Sequence, residues 1–132
     1  MTNLMEMAQT VRETAGWSRE GKSDGDWVEF EVADLPPFRL VQKGQRLAAF
    51  TADLGAWPDG ESEADELARR LGRLASGAFN SRRSILSVAS GRYGLHLPFD
   101  PSQLELEEVP KICASFLNDL EWWFKNREAN LV

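Results

Sequence analysis

The segment from Tyr93 to Lys125 constrains the fold of this chain more than any other. It begins with an alternating run, YGLHLPF, which predicts a strand, and after a cluster of proline and aspartate it becomes the longest amphipathic pattern in the sequence. Apolar residues recur there at helical spacing and share one stripe; they are Val109, Ile112, Cys113, Phe116, Leu120, Trp123 and Phe124. We therefore expect a strand and then a long helix, against which the rest of the chain packs.

Trp122 falls outside this stripe although it is next to Trp123. Neighbouring residues of a helix point about 100° apart, so the two rings cannot both enter one core. Two explanations for Trp122 remain open, a contact with a partner protein or a position at the edge of the helix.

The rest of the sequence alternates between helical and strand patterns. A short amphipathic helix is expected over residues 2 to 15, and the polar stretch from Ser18 to Asp26 predicts a surface loop. Three strands follow in WVEFEV, FRLVQ and QRLAAFTADL, and Pro36 and Pro37 favour an edge position for the second. An amphipathic helix of about four turns comes next, and SILSVAS then forms a hairpin with YGLHLPF across Gly91 and Arg92.

This order of elements, αβββαββα, predicts an α+β fold in which helices pack against an antiparallel sheet. With 132 residues and no internal repeat, we expect a single domain over residues 1–132. Some predicted strands are apolar on both faces, and this leaves two outcomes open. Either all of that surface lies in the core, or part of it meets another chain.

Charge and cysteine content exclude several classes of function. A net charge of -6 and a pI of about 4.8 oppose binding to nucleic acid or to an anionic membrane surface. The single cysteine cannot form an internal disulfide, which fits a reducing compartment. The first residues resemble neither a signal peptide nor a membrane span, so we expect a cytoplasmic protein.

The sequence contains no motif for catalysis, for a cofactor or for a metal. His96 is the only histidine, and it is either a hydrogen-bonded strand residue or a general base. The acidic clusters at 61–66 and 105–108 stand at predicted helix starts, where negative charge complements the helix dipole. The one basic concentration in the sequence fits a solvated helix face or a binding patch for an acidic partner; it consists of Arg69, Arg70, Arg73, Arg82 and Arg83. We therefore expect a protein that is not an enzyme and has no cofactor.

The order of elements, the small acidic chain and the ending LHLPFDPSQLELEEVPKICASFLNDLEWW resemble class I type III secretion chaperones, the CesT and SycE-like family. Within that family, VEFEVADLPPFRLVQKGQRLAAFTADLGAW and LPFDPSQLELEEVPKICASFLNDLE are most similar to the SycN type. Chaperones of this type pair with a second, different chaperone to hold a gatekeeper protein that regulates secretion. YbjN-like proteins have the same order of elements without serving a secretion system, and they are the alternative.

The resemblance implies a binding protein that keeps a secreted effector or gatekeeper soluble and ready for export. It implies a dimer, of identical chains or of two different chaperones, formed through the middle helix by Leu67, Leu71, Leu74 and Ala78. It also implies that an extended client segment wraps around the dimer and fills apolar grooves. The residues expected in those grooves are Leu4, Val11, Val28, Phe30, Phe38 and Leu40, and Trp122 is expected to be a further client contact.

Overall fold

The computed structural model describes residues 3–17, 21–78 and 81–127. In chain order its elements are α1 (Leu4–Ala15), β1 (Ser23–Asp24), β2 (Trp27–Phe30), β3 (Phe38–Lys43), β4 (Leu47–Ala56), α2 (Glu61–Ala78), β5 (Ile85–Ala89), β6 (Arg92–Phe99), two 3₁₀ turns (Pro101–Gln103 and Leu106–Glu108) and α3 (Val109–Asn126). None of the helices in the described ranges is long and apolar enough to cross a bilayer.

The strands form one six-stranded antiparallel sheet in the order β1-β2-β3-β4-β6-β5. The predicted α+β class, with helices packed against an antiparallel sheet, is confirmed. One strand is additional, because Ser23–Asp24 pairs with β2 inside the predicted loop, of which residues 18–20 lie outside the described ranges. The edge position expected for β3 is wrong, since β3 lies between β2 and β4. Pro36 and Pro37 precede the first paired residue, so their missing N–H groups do not weaken the ladder.

Local signals in the sequence fix the ends of two helices. The side chain of Asn3 accepts a hydrogen bond from the Glu6 amide at 2.9 Å and caps α1, which ends at Gly16 in a left-handed conformation. Pro110 lies in the first turn of α3, where its missing N–H has no helical partner to lose. The preceding 3₁₀ turn is closed by a capping box between Glu105 and Glu108, which aligns the chain with the helix axis.

The core lies between one face of the sheet and the helices, and aromatic rings fill its centre. Phe38, Phe50 and Phe116 have no exposed surface, and their ring centroids lie 5.9 to 6.3 Å apart. Phe30 stacks on Phe38 at 5.2 Å and extends the cluster into β2. These contacts join β2, β3, β4 and α3 through side chains that come from four separate parts of the sequence.

A buried carboxylate joins α3 to the start of β5. Asp119 is only 3% exposed, and its Oδ2 accepts hydrogen bonds from the Ser84 amide at 3.0 Å and from the Ser84 hydroxyl at 2.5 Å. Its Oδ1 lies 3.3 Å from Nη1 of Arg82, whose guanidinium is partly exposed. The carboxylate therefore holds the α2 to β5 connection against α3 and sets where the edge strand begins.

Replacing Asp119 by Ala should destabilise the fold, because it leaves the Ser84 amide and hydroxyl buried without an acceptor. We expect a loss of about 2 to 3 kcal/mol in the free energy of unfolding measured with urea. Glu121→Ala is the matched control on the same helix, because Glu121 is exposed and pairs only with Lys125 at 2.6 Å. It should cost less than about 0.5 kcal/mol. Equal losses of unfolding free energy in the two variants would show that Asp119 does not have this structural role.

Candidate functional site

The six residues expected to line client grooves all lie in the core. Their exposed fractions run from 0% to 7%, and they are Leu4, Val11, Val28, Phe30, Phe38 and Leu40. Helix α1 packs over β2 and β3, so a client could reach these side chains only if α1 left the sheet. Their role as client contacts stays a prediction that requires such a movement, and the accessible apolar surface is elsewhere.

The residues predicted to form a dimer interface also face their own chain. Leu67, Leu71 and Leu74 are each 6% exposed and belong to the common core, and Ala78 is 5% exposed. The dimer interface therefore stays a prediction. A charge placed at Leu71 would enter the core of its own subunit, so its first effect would be on folding rather than on association.

Trp122 is the one predicted client contact whose side chain is only half-buried. Its ring meets Trp123 edge to face at 5.1 Å, and the Arg82 guanidinium lies 4.9 Å from its centroid. Trp123 itself is 2% exposed, as expected from its place on the apolar stripe. The position of Trp122 fits the explanation of a helix-edge residue, and its contact with a client stays a prediction.

An accessible apolar groove lies at the free edge of the sheet. Strand β5 is the last strand, and its first residue, Ile85, pairs with His96. Strand β6 continues past that point, so Leu97 to Phe99 have no strand neighbour on that side within the described residues. The gap opens into a groove of about 600 Å³ between the sheet edge, the loop after β6 and the first turns of α3. We call it the edge groove.

The walls of the edge groove are mainly apolar. Ile85 is 56% exposed at one end, and Phe99, Leu104 and Ile112 are half-buried along it. Leu97 lies deeper, at 8% exposed. The hairpin turn lies at Ser90 and Gly91, and both residues have positive φ. This turn pairs the five residues of β5 with Arg92 to His96, so the last residues of β6 extend beyond β5 and leave the groove open.

The hairpin turn expected at Gly91 and Arg92 lies one residue earlier in the structure, and with the expected turn the groove does not appear. A Ser-Gly pair is a known signal for a two-residue turn, and it would have set the register of Ile85 opposite His96. The overhang of β6 follows from that register and from the lengths of the two apolar runs. No turn or register signal in the sequence indicates that the side chains on α3 complete this groove.

His96 lies outside the edge groove, on the sheet face opposite the core. Its Nδ1 is 2.7 Å from the Thr51 hydroxyl, and its Nε2 contacts the Ser87 hydroxyl. Partial burial lowers the pKa of the imidazole. The neighbouring Asp53 is bound by both nitrogens of the Arg92 fork, at 2.9 and 2.6 Å, and does not orient the imidazole. This arrangement fits a hydrogen-bonded strand residue and lacks the acid of a catalytic triad.

Metal binding has no support in the part of the chain that the structure describes. No group of three or more His, Cys, Asp or Glu side chains is arranged to hold an ion there.

This chain is similar in fold to several solved structures. No protein-family model matches the chain, and no curated protein matches its sequence. A chain of the ExsC-ExsE complex is similar with a TM-score of 0.62 at 17% identity, covering 99% of this chain and 100% of that chain. A chain of the HopA1-SchA chaperone-effector complex is similar with a TM-score of 0.60 at 11% identity, covering 95% of this chain and 99% of that one.

A third similar structure is the heterodimeric complex ExoU-SpcU from the type III secretion system of Pseudomonas aeruginosa. Its TM-score is 0.60 at 14% identity, and the match covers 92% of this chain and 98% of that chain. At such low identities the likeness shows the fold alone. The protein has the fold of chains found in a chaperone-effector complex and in a heterodimeric complex from a type III secretion system.

Cys113 should be unreactive in the folded protein. It is 3% exposed on the apolar stripe of α3, and burial raises the pKa of its thiol to about 12. At about pH 8 roughly one thiol in ten thousand is then ionised, and the thiolate is the reactive form. We expect Ellman's reagent to label native protein at least about a hundredfold more slowly than protein unfolded in urea. Rapid labelling of the native protein would show that the core does not cover this thiol.

Proposed function

We propose that this protein is a type III secretion chaperone that binds an extended segment of a secreted effector or gatekeeper protein and keeps it soluble for export. The observation that carries the proposal is the similarity in fold, over 92% to 99% of the chain, to chains of chaperone-effector complexes. Nothing in the proposed activity requires a nucleotide, a metal or another cofactor.

The edge groove supplies a physical basis for holding an extended segment. A segment lying beside Leu97 to Phe99 would continue the line of β5. Pro98, the middle residue, has no N–H to donate, so apolar contacts rather than a full ladder of backbone hydrogen bonds would hold the segment. Its apolar side chains would cover Ile85, Phe99 and Ile112, and such burial contributes about 25 cal/mol per Å². This contribution offsets the conformational entropy that the client loses when it becomes ordered.

Finer features belong to the same proposal. We place the protein in the cytoplasm, as a dimer either with itself or with a second chaperone, and closest to the SycN type. The net charge of -6 supports a protein partner rather than nucleic acid or an anionic membrane. The client is then a secreted protein that the bacterium must hold unfolded, at least in part, before export.

The function can be tested by client capture in the native host. The tagged full-length protein is expressed there, and proteins that co-purify are identified by mass spectrometry and tested for secretion with and without this chaperone gene. We expect one secreted protein to be enriched, and its export to fall when the gene is deleted. If the captured proteins are not secreted, the secretion role is wrong and a YbjN-like role becomes the better explanation.

The same assay tests whether the edge groove holds the client. Ile85→Thr keeps a β-branched side chain but removes apolar surface from the groove, so it should lower capture of that client about tenfold. Val88→Thr is the matched control, because Val88 is 51% exposed on the same strand and does not line the groove. Equal capture by both variants and by the unmodified protein would exclude the groove as the client site.

A further inference from the structure

We propose that the edge groove selects segments in which a carboxylate lies between apolar residues, and that Arg83 and Lys111 bind this carboxylate. The inference rests on the proposed function for its setting, and it adds the chemistry of the segment that fits the groove. It concerns a protein segment of acidic and apolar character, not a free anion.

The lining of the groove has more cations than anions, although the chain as a whole is acidic. Arg83 and Lys111 both line the groove and are exposed, and neither forms an ion pair with any residue in the described ranges. The third charged residue, Asp100, uses Oδ1 to accept hydrogen bonds from the Ser102 amide and hydroxyl, at 2.9 and 2.6 Å. The lining thus has two cations and one anion, although the whole chain carries a net charge of -6.

The shape of the groove selects an extended segment. The overhang of β6 beyond β5 is the stretch Leu97 to Phe99, so the free edge is about 10 Å long at the usual rise of a strand. About three to five residues of an extended chain match that length. Alternate side chains of such a segment can reach the apolar wall at Phe99 and Ile112, while a carboxylate can reach the basic side chains.

A second copy of this chain fits the groove less well. A symmetric contact through the groove would bring together two linings that each carry two cations and one anion, and this net like charge opposes association. A free phosphate or other small anion would leave the apolar wall exposed to water. Charge complementarity therefore favours an acidic and apolar segment of a different protein.

The test uses the immobilised full-length protein to select peptides from a phage-displayed library of random dodecapeptides. Selected peptides are synthesised, and their affinities are measured by fluorescence anisotropy. We expect them to share an Asp or Glu flanked by apolar residues. Replacing that acid by its amide should weaken binding to the unmodified protein about fivefold, and the loss should be smaller at high salt.

Two double variants that each lose two positive charges test whether the preference for the acid form of the peptide arises in the groove. The Arg83→Gln and Lys111→Gln double variant should bind the acid and amide forms of the peptide equally. The Lys43→Gln and Arg46→Gln double variant removes the same charge from the exposed end of β3 and the turn that follows it, and it should keep the preference for the acid. Because all four side chains are exposed, neither double variant should alter folding.

Four outcomes would overturn the inference. Selected peptides without an acid would exclude the carboxylate, and equal loss of preference in both double variants would assign the effect to overall charge. Sedimentation that shows a dimer of the unmodified protein, lost only in the Arg83 and Lys111 variant, would assign the groove to a second copy. Capture of a secreted client that is insensitive to both double variants would refute this inference and leave the proposed function standing.

Discussion

The stacking of aromatic rings around Phe38 is the interaction on which the arrangement of this fold depends. Its ring contacts Phe30 on β2 and Phe116 on α3, with centroids 5.2 and 5.9 Å away, and Trp17 after α1 at 6.0 Å. One buried side chain thereby fixes an inner strand relative to both helices that cover it. The same position explains why Phe38 is a poor candidate for direct client contact, since exposing it would separate those elements.

Periodicity in the sequence predicted most of the buried residues of α3, although Ile112 and Phe124 of the predicted stripe are only half-buried. It could not predict which parts of the chain would bury them. The apolar stripe of α3 and the separation of Trp122 from Trp123 follow from helical geometry alone. The stripe on α2 has the same pattern whether it packs on its own sheet or on a second chain. In the structure the chain's own core covers Leu71, and the place of Leu71 in a dimer interface stays a prediction.

Position within the sheet was less predictable than the strands themselves, because it depends on contacts between distant segments. Two prolines before β3 suggested an edge, yet they end one residue before the ladder begins. The sequence places the hairpin turn one residue too late. The edge groove cannot be predicted from that position, because the register of the pairing decides which residues of β6 lack a strand neighbour. Arg83 belongs to a basic concentration for which an acidic partner was left open, but the sequence does not indicate that Arg83 lies near the groove. Lys111 is a single surface charge and carries no periodic signal.

The two edges of the sheet differ in a way that bears on binding. Strand β1 is two polar residues long, Ser23 and Asp24, and a short polar edge discourages pairing with another chain. The opposite edge strand, β5, exposes Ile85 and Val88 at 56% and 51%, and has no charged residue between its first and last positions. An apolar edge without protective charges is a hazard for aggregation unless a partner covers it. This asymmetry supports the edge groove at the Ile85 end of β5, rather than β1, as the edge that meets a client.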